Sequence, residues 1–186
     1  MKKIITTIVF GLIFVSSYAQ VQKLAGPRIG LTYITEGSTA DFLHEGFGFD
    51  DDQDGKHGST GSAFTTQYGW QWESRFADGG GNVVGIVEWI ALVAGMEQGK
   101  FLPSLSSVIG ARTSNGFEFG VGPNLSLSGV GMIFGIGKNF KSGDLNMPVN
   151  LVISPGKKST GSINGESYDY NSGTRISIMV GFNLGT

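Results

Sequence analysis

The chain contains no cysteine, which excludes a disulfide framework, a thiolate metal site and a cysteine nucleophile. Its two histidines, His44 and His57, leave little for acid–base or imidazole–metal chemistry. Charge is scarce: 15 % of the 186 residues are Asp, Glu, Lys or Arg, against a usual ~25 %, too few for a long solvated coiled coil. The net charge of −2 gives no reason to expect nucleic acid as a partner. Long apolar runs are missing from the body of the chain. The best internal stretch, 83–96, is interrupted by Gly85, Glu88 and Gly95 and falls short of the ~20 residues of a helical span. What the chain has instead is glycine, 31 residues of it, and an aromatic content of 11 % that argues against disorder.

Residues 1–19 have the layout of a secretory signal. Lys2 and Lys3 precede an apolar stretch from Ile4 to Val15, and Ser17-Tyr18-Ala19 places small residues where a signal peptidase needs them. A mature chain starting at Gln20 is expected, with 20–186 as one domain. Its destination lies beyond the inner membrane.

The mature chain repeats with period two, the signature of half-buried strands. Phe64, Tyr68, Trp70, Trp72 and Phe76 alternate with Gln67, Gly69, Gln71, Glu73 and Arg75. The same alternation marks 117–125, 130–136, 145–153 and 175–184, and more weakly 27–35 and 101–113. Residues 83–95 are apolar on both parities, so only Glu88 indicates which of their faces is polar. Eight strands result, most close to the ~9–11 residues of a tilted transmembrane strand. The connections predict long loops at 36–63 and 155–172 and mostly short turns elsewhere, with Ser142-Gly143 as a hairpin signal. With the N-terminus at the periplasmic side, both long loops fall outside.

The polar face decides between a lipid-facing and a core-facing apolar side. It is mostly Gly, Ser, Asn and Gln, small residues suited to the crowded interior of an eight-stranded barrel. All four arginines, Arg28, Arg75, Arg112 and Arg175, lie on it, while most lysines fall in loops. Trp70, Trp72, Tyr68 and Phe76 are candidates for an interfacial girdle. The predicted fold is therefore a closed eight-stranded antiparallel up-and-down transmembrane β-barrel. Glu73, Glu88 and Glu118 join the four arginines as a predicted lumen charge network, with several members meeting at the periplasmic end. A three-residue loop at Ser114-Asn115-Gly116 would pair Arg112 with Glu118 and keep both inside.

The mature chain resembles the small outer-membrane β-barrels of Gram-negative bacteria, of OmpA/OmpX-like architecture. The resemblance rests on Ala19-Gln20, the eight alternating strands and the final segment from Arg175 to Leu184. That segment is similar to a C-terminal assembly signal but runs four residues past Phe182. The stretches 67–72, 97–104 and 116–126 also resemble uncharacterised envelope barrels. The resemblance implies a fold, an outer-membrane location, and lipid and the barrel-assembly machinery as partners. It brings no established activity.

Two motifs point to chemistry. Asp50, Asp52, Asp54 and Gly55 match the opening of a calcium loop, but Gly61 stands where a bidentate Glu is needed. Weak calcium binding and a merely solvated acidic loop are the two readings. His44 and His57 share that loop and are expected to be solvated. Gly131 to Lys138 has the wrong spacing for a phosphate loop, and no Gly-x-Ser-x-Gly elbow is present. No other cofactor and no enzymatic activity are expected. The expected function is structural or adhesive, through loops 36–63 and 155–172. A narrow channel for small solutes is the alternative, and a soluble lipocalin-like binder of apolar ligands a further one.

Overall fold

The computed structural model describes residues 23–45, 61–78, 81–163 and 166–185. Alternating residues leave one face of each strand apolar and the other polar, and a sheet built from such strands is satisfied by closing on itself. The strands are β1 (Lys23–Ile34), β2 (Ala63–Asp78), β3 (Val83–Ala94), β4 (Leu102–Thr113), β5 (Phe117–Ser126), β6 (Gly129–Ser142), β7 (Leu145–Ser154), β8 (Lys158–Ile163), β9 (Glu166–Asn171), β10 (Arg175–Gly181) and β11 (Asn183–Gly185). A helix, α1 (Ser38–Glu45), follows β1.

Strands β1 to β7 pair antiparallel in chain order. The last barrel strand is β10 continued by β11, both paired to β7 on one side and to β1 on the other. Counted as one strand, they close an eight-stranded antiparallel barrel. The break between them falls at Phe182, where the backbone crowds β1: a Cβ on Gly26 would lie 1.8 Å from the Phe182 carbonyl oxygen. Only glycine permits that approach, and the Phe182 N–H recovers a bond to the Pro27 carbonyl at 3.2 Å.

At one end the strands are joined by short turns. The three-residue connection between β4 and β5 sets Arg112 opposite Glu118. Gly116 turns there at φ 83°, and a Cβ would meet the Asn139 carbonyl oxygen at 2.3 Å, so no other residue fits. Between β6 and β7, Ser142 pairs with Leu145 across Gly143-Asp144.

The opposite end carries the two long connections, as expected, and both contain regular structure. The first contains α1. Ala40 and Leu43, three apart on one face of that helix, pack with Ile34 and Ala63, and Leu102 lies against the cluster. These last three are the lumen-facing ends of β1, β2 and β4, so α1 leans over one side of the mouth. The second contains the hairpin β8–β9, a separate two-stranded sheet. Its base is tied to the barrel by Thr174 N–H to Thr35 Oγ1 at 2.8 Å and Thr35 N–H to the Thr174 carbonyl at 2.9 Å. β1 also begins four residues before its expected start, which brings Lys23 and Leu24 into the wall.

Candidate functional site in the barrel lumen

The two faces of the wall differ sharply. Outside, aromatic and aliphatic side chains stand free: Phe119 is 62 % exposed and Ile136 61 %. Inside, Arg28 is 3 % exposed, Glu73 1 % and Gln71 fully buried. A soluble lipocalin-type barrel has the opposite arrangement, so that reading is set aside. Apolar outside and charged inside is the solution for strands that cross lipid. Aromatics mark both rims of the apolar band. Tyr33, Phe64 and Phe101 lie at the loop end, with Tyr33 and Phe64 rings 4.9 Å apart. Trp72, Phe76, Trp89, Phe117 and Phe140 lie toward the turn end. Lys138 falls on the apolar parity there, and its ammonium sits 5.1 Å from the Phe117 ring centroid and 5.4 Å from that of Phe140. The charge rests on the faces of both rings.

The charged side chains form a layered core in the turn half of the lumen. Arg112, near the end of β4, reaches over β3 to Glu73 on β2. Its Nη1 donates to Glu73 Oε1 at 2.6 Å and Nη2 to Oε2 at 2.5 Å, a bidentate pair. Its Nε donates to Glu118 Oε1 at 2.5 Å, so one guanidinium serves two carboxylates. The other Glu118 oxygen accepts from Asn150 Nδ2 at 3.3 Å, and Asn150 Oδ1 accepts from Arg28 Nη1 at 3.0 Å. Arg28 also donates to the Pro148 carbonyl at 3.3 Å. Glu88 faces Glu73 directly across the β2–β3 ladder and accepts from Gln71 Nε2 at 2.5 Å.

Two of the seven predicted network residues stand apart. Arg75 shows a buried Nε with no hydrogen-bond partner. Arg175 is at the loop end, donating from Nη2 to Asn124 Oδ1 at 3.1 Å and Ser154 Oγ at 3.0 Å. The neutral members Gln71, Asn150 and Asn124 lie on the polar parity but carry no charge to single them out. Residues Asp50, Asp52, Asp54 and His57 lie outside the described residues. His44 is exposed at the end of α1, its Nε2 3.2 Å from the Ser62 carbonyl. The run from Gly131 to Lys138 is strand β6, not a phosphate loop.

Above the charged layer the lumen is not filled by side chains. It holds a cavity of about 90 Å³, reaching from Arg28, Glu88 and Glu118 at its floor to Ser104, Ser154 and Arg175 near the mouth. Its waist is apolar: Ile90 and Leu92 of β3, Val108, Ile133, Val152 and Met179 point inward. This settles the ambiguous strand. β3 is apolar on both parities because one face meets the exterior and the other meets this cavity.

The fold and the interior define an eight-stranded barrel of the membrane-spanning type. Among solved structures it is similar to the outer membrane protein AlkL in DMPC lipid bilayers, with TM-score 0.48 and 10 % identity over 91 % of this chain and 92 % of that one. It is also similar to Ail, the attachment invasion locus protein of Yersinia pestis. Against its complex with the heparin analogue sucrose octasulfate the TM-score is 0.24 at 11 % identity, and without that ligand 0.24 at 10 %, each over 89 % of this chain and 99 % of Ail. No protein-family model matches the sequence, and no curated protein matches it.

Proposed function

We propose that the protein is exported, loses residues 1–19 before Gln20, and resides in the bacterial outer membrane as a non-catalytic barrel. Its turn end faces the periplasm and its loop end the exterior. It works there as a surface module, presenting segment 36–63 with α1 and segment 155–172 with the β8–β9 hairpin to an external partner. The observation that carries this reading is the buried Glu73–Arg112–Glu118 set, backed by Arg28, Asn150, Gln71 and Glu88. A solute crossing the lumen would have to part these groups and leave buried charges uncompensated, which is strongly unfavourable.

Planar-bilayer recording tests it, with folding checked by the gel migration of unboiled and boiled protein. The expected result is inserted, folded protein without sustained large openings. Steady porin-sized currents through the unmutated barrel would favour the narrow-channel reading instead. N-terminal sequencing of the envelope form should begin at Gln20. Asp50, Asp52 and Asp54 belong to the same surface segment, where weak calcium binding is the one cofactor this reading includes. Calcium titration with and without Asn at all three positions tests that part.

A further inference from the structure

The cavity is built in three zones. Its floor is the self-satisfied charge layer, its waist is apolar, and its mouth is cationic. Arg175 lines the mouth, and its acceptors are neutral: Asn124 Oδ1 and Ser154 Oγ. Lys157 reaches the same corner. A Cβ built on Gly129 would be 3.9 Å from its Nζ, and one on Gly131 3.9 Å from its Cε. Gly131 is the ladder partner of Asn124, so Lys157 and Arg175 flank that asparagine. Among the residues whose side chains are described, no carboxylate pairs with either cation, whereas Arg112, deeper in the same lumen, has two.

A half-enclosed guanidinium held by neutral acceptors is satisfied most directly by an anion brought by a ligand. Below it, the waist gives an alkyl chain apolar walls on opposite sides of the barrel. The charged floor sets a limit to the length of that chain. The geometry points to a binding site for a small anionic amphiphile: a medium-chain carboxylate whose head lies against Arg175 and Lys157 and whose tail fills the waist between Ile90, Val152 and Met179. The inference goes beyond the surface role and stands without it, since it uses only lumen residues and Lys157.

Methyl NMR on the full barrel in lipid nanodiscs, with labelled methionine and octanoate as the probe, separates this site from simple partitioning into lipid. Met179 lines the cavity, while Met132 and Met147 stand on the outer parity of β6 and β7. Octanoate should shift the Met179 methyl saturably, ahead of any drift at Met132 and Met147, and octylamine should not. Arg175→Gln should weaken the Met179 response roughly tenfold or more, as expected for loss of a charge-assisted contact. Val152→Phe, which fills the waist and leaves Arg175 in place, should remove the response. Native-like migration of unboiled protein verifies that each variant is folded. A Met179 methyl that never saturates, that moves only in step with Met132 and Met147, or that responds equally in folded Arg175→Gln would overturn the proposal.

Discussion

Arg112 and Glu73 meet across the lumen through both guanidinium nitrogens and both carboxylate oxygens, from strands that are not neighbours. The contact spans the interior over β3, and each partner is nearly inaccessible to solvent. It therefore ties β2 to β4 over the intervening β3, beyond what the backbone ladder does. A bidentate pair in an enclosed site gains from geometry as well as charge, and losing one partner strands the other.

Removing that partner should show directly in stability. Glu73→Gln and Glu118→Ala are each expected to lower the denaturant unfolding midpoint of the barrel in detergent. For Glu73→Gln the cost should be on the order of 3–5 kcal/mol, because Arg112 loses its bidentate acceptor. The double variant should fall short of the sum of the singles, since both act through one guanidinium. Strict additivity would mean that the three residues are not coupled.

A second prediction concerns Glu97, in the short helical turn between β3 and β4. Its slight burial pushes the carboxyl up, but the Thr66 hydroxyl at 2.6 Å and the Thr66 N–H at 2.9 Å override this and hold it at about 2. A carboxyl lowered on folding contributes stability above its unfolded value of about 4.5, and that contribution is lost as pH falls toward about 2. Carboxyl NMR titration should find Glu97 ionised well below pH 4.5, and Thr66→Val should move its midpoint upward. An unchanged midpoint in the variant would show that the loop tie does not control Glu97.

The third prediction concerns α1. Its attachment rests on Ala40 and Leu43 packed against Ile34 and Ala63. Leu43→Asp should therefore speed hydrogen exchange at the Ala40 and Asp41 amides, both of which donate to the Gly37 carbonyl. Exchange in β5 and β6, far from the helix in the sheet order, should be unaffected. Equal acceleration in those strands would mean that α1 is part of the barrel's cooperative unit and not a separate cap.

The barrel itself was legible because period-two alternation states both the element and its two faces. The lumen charge positions followed from parity alone. The Arg112–Glu118 pairing followed from the three-residue turn, but the Arg112–Glu73 pairing did not, since the two lie 39 residues apart on strands either side of β3 and no local pattern encodes that reach. The orientation of β3 was hidden because Ile86, Ile90 and Leu92 turn inward while Val87 and Trp89 turn outward, leaving Glu88 as the lone guide. Helix α1 is eight residues long with one apolar stripe, too short to stand out within a long connection. The β8–β9 hairpin is mostly Ser, Tyr and other polar or small residues, so no apolar alternation marks it.

If the outward apolar face of the barrel meets lipid, the protein's own tryptophans report it without mutation. Trp70, Trp72 and Trp89 are all of its tryptophans, and each stands on the exterior at 43 %, 49 % and 50 % exposure. Reconstituted into bilayers with brominated acyl chains, their fluorescence should be strongly quenched, while acrylamide in the aqueous phase should quench weakly. Fluorescence indifferent to brominated lipid and fully open to acrylamide would place that face in water and overturn its contact with lipid.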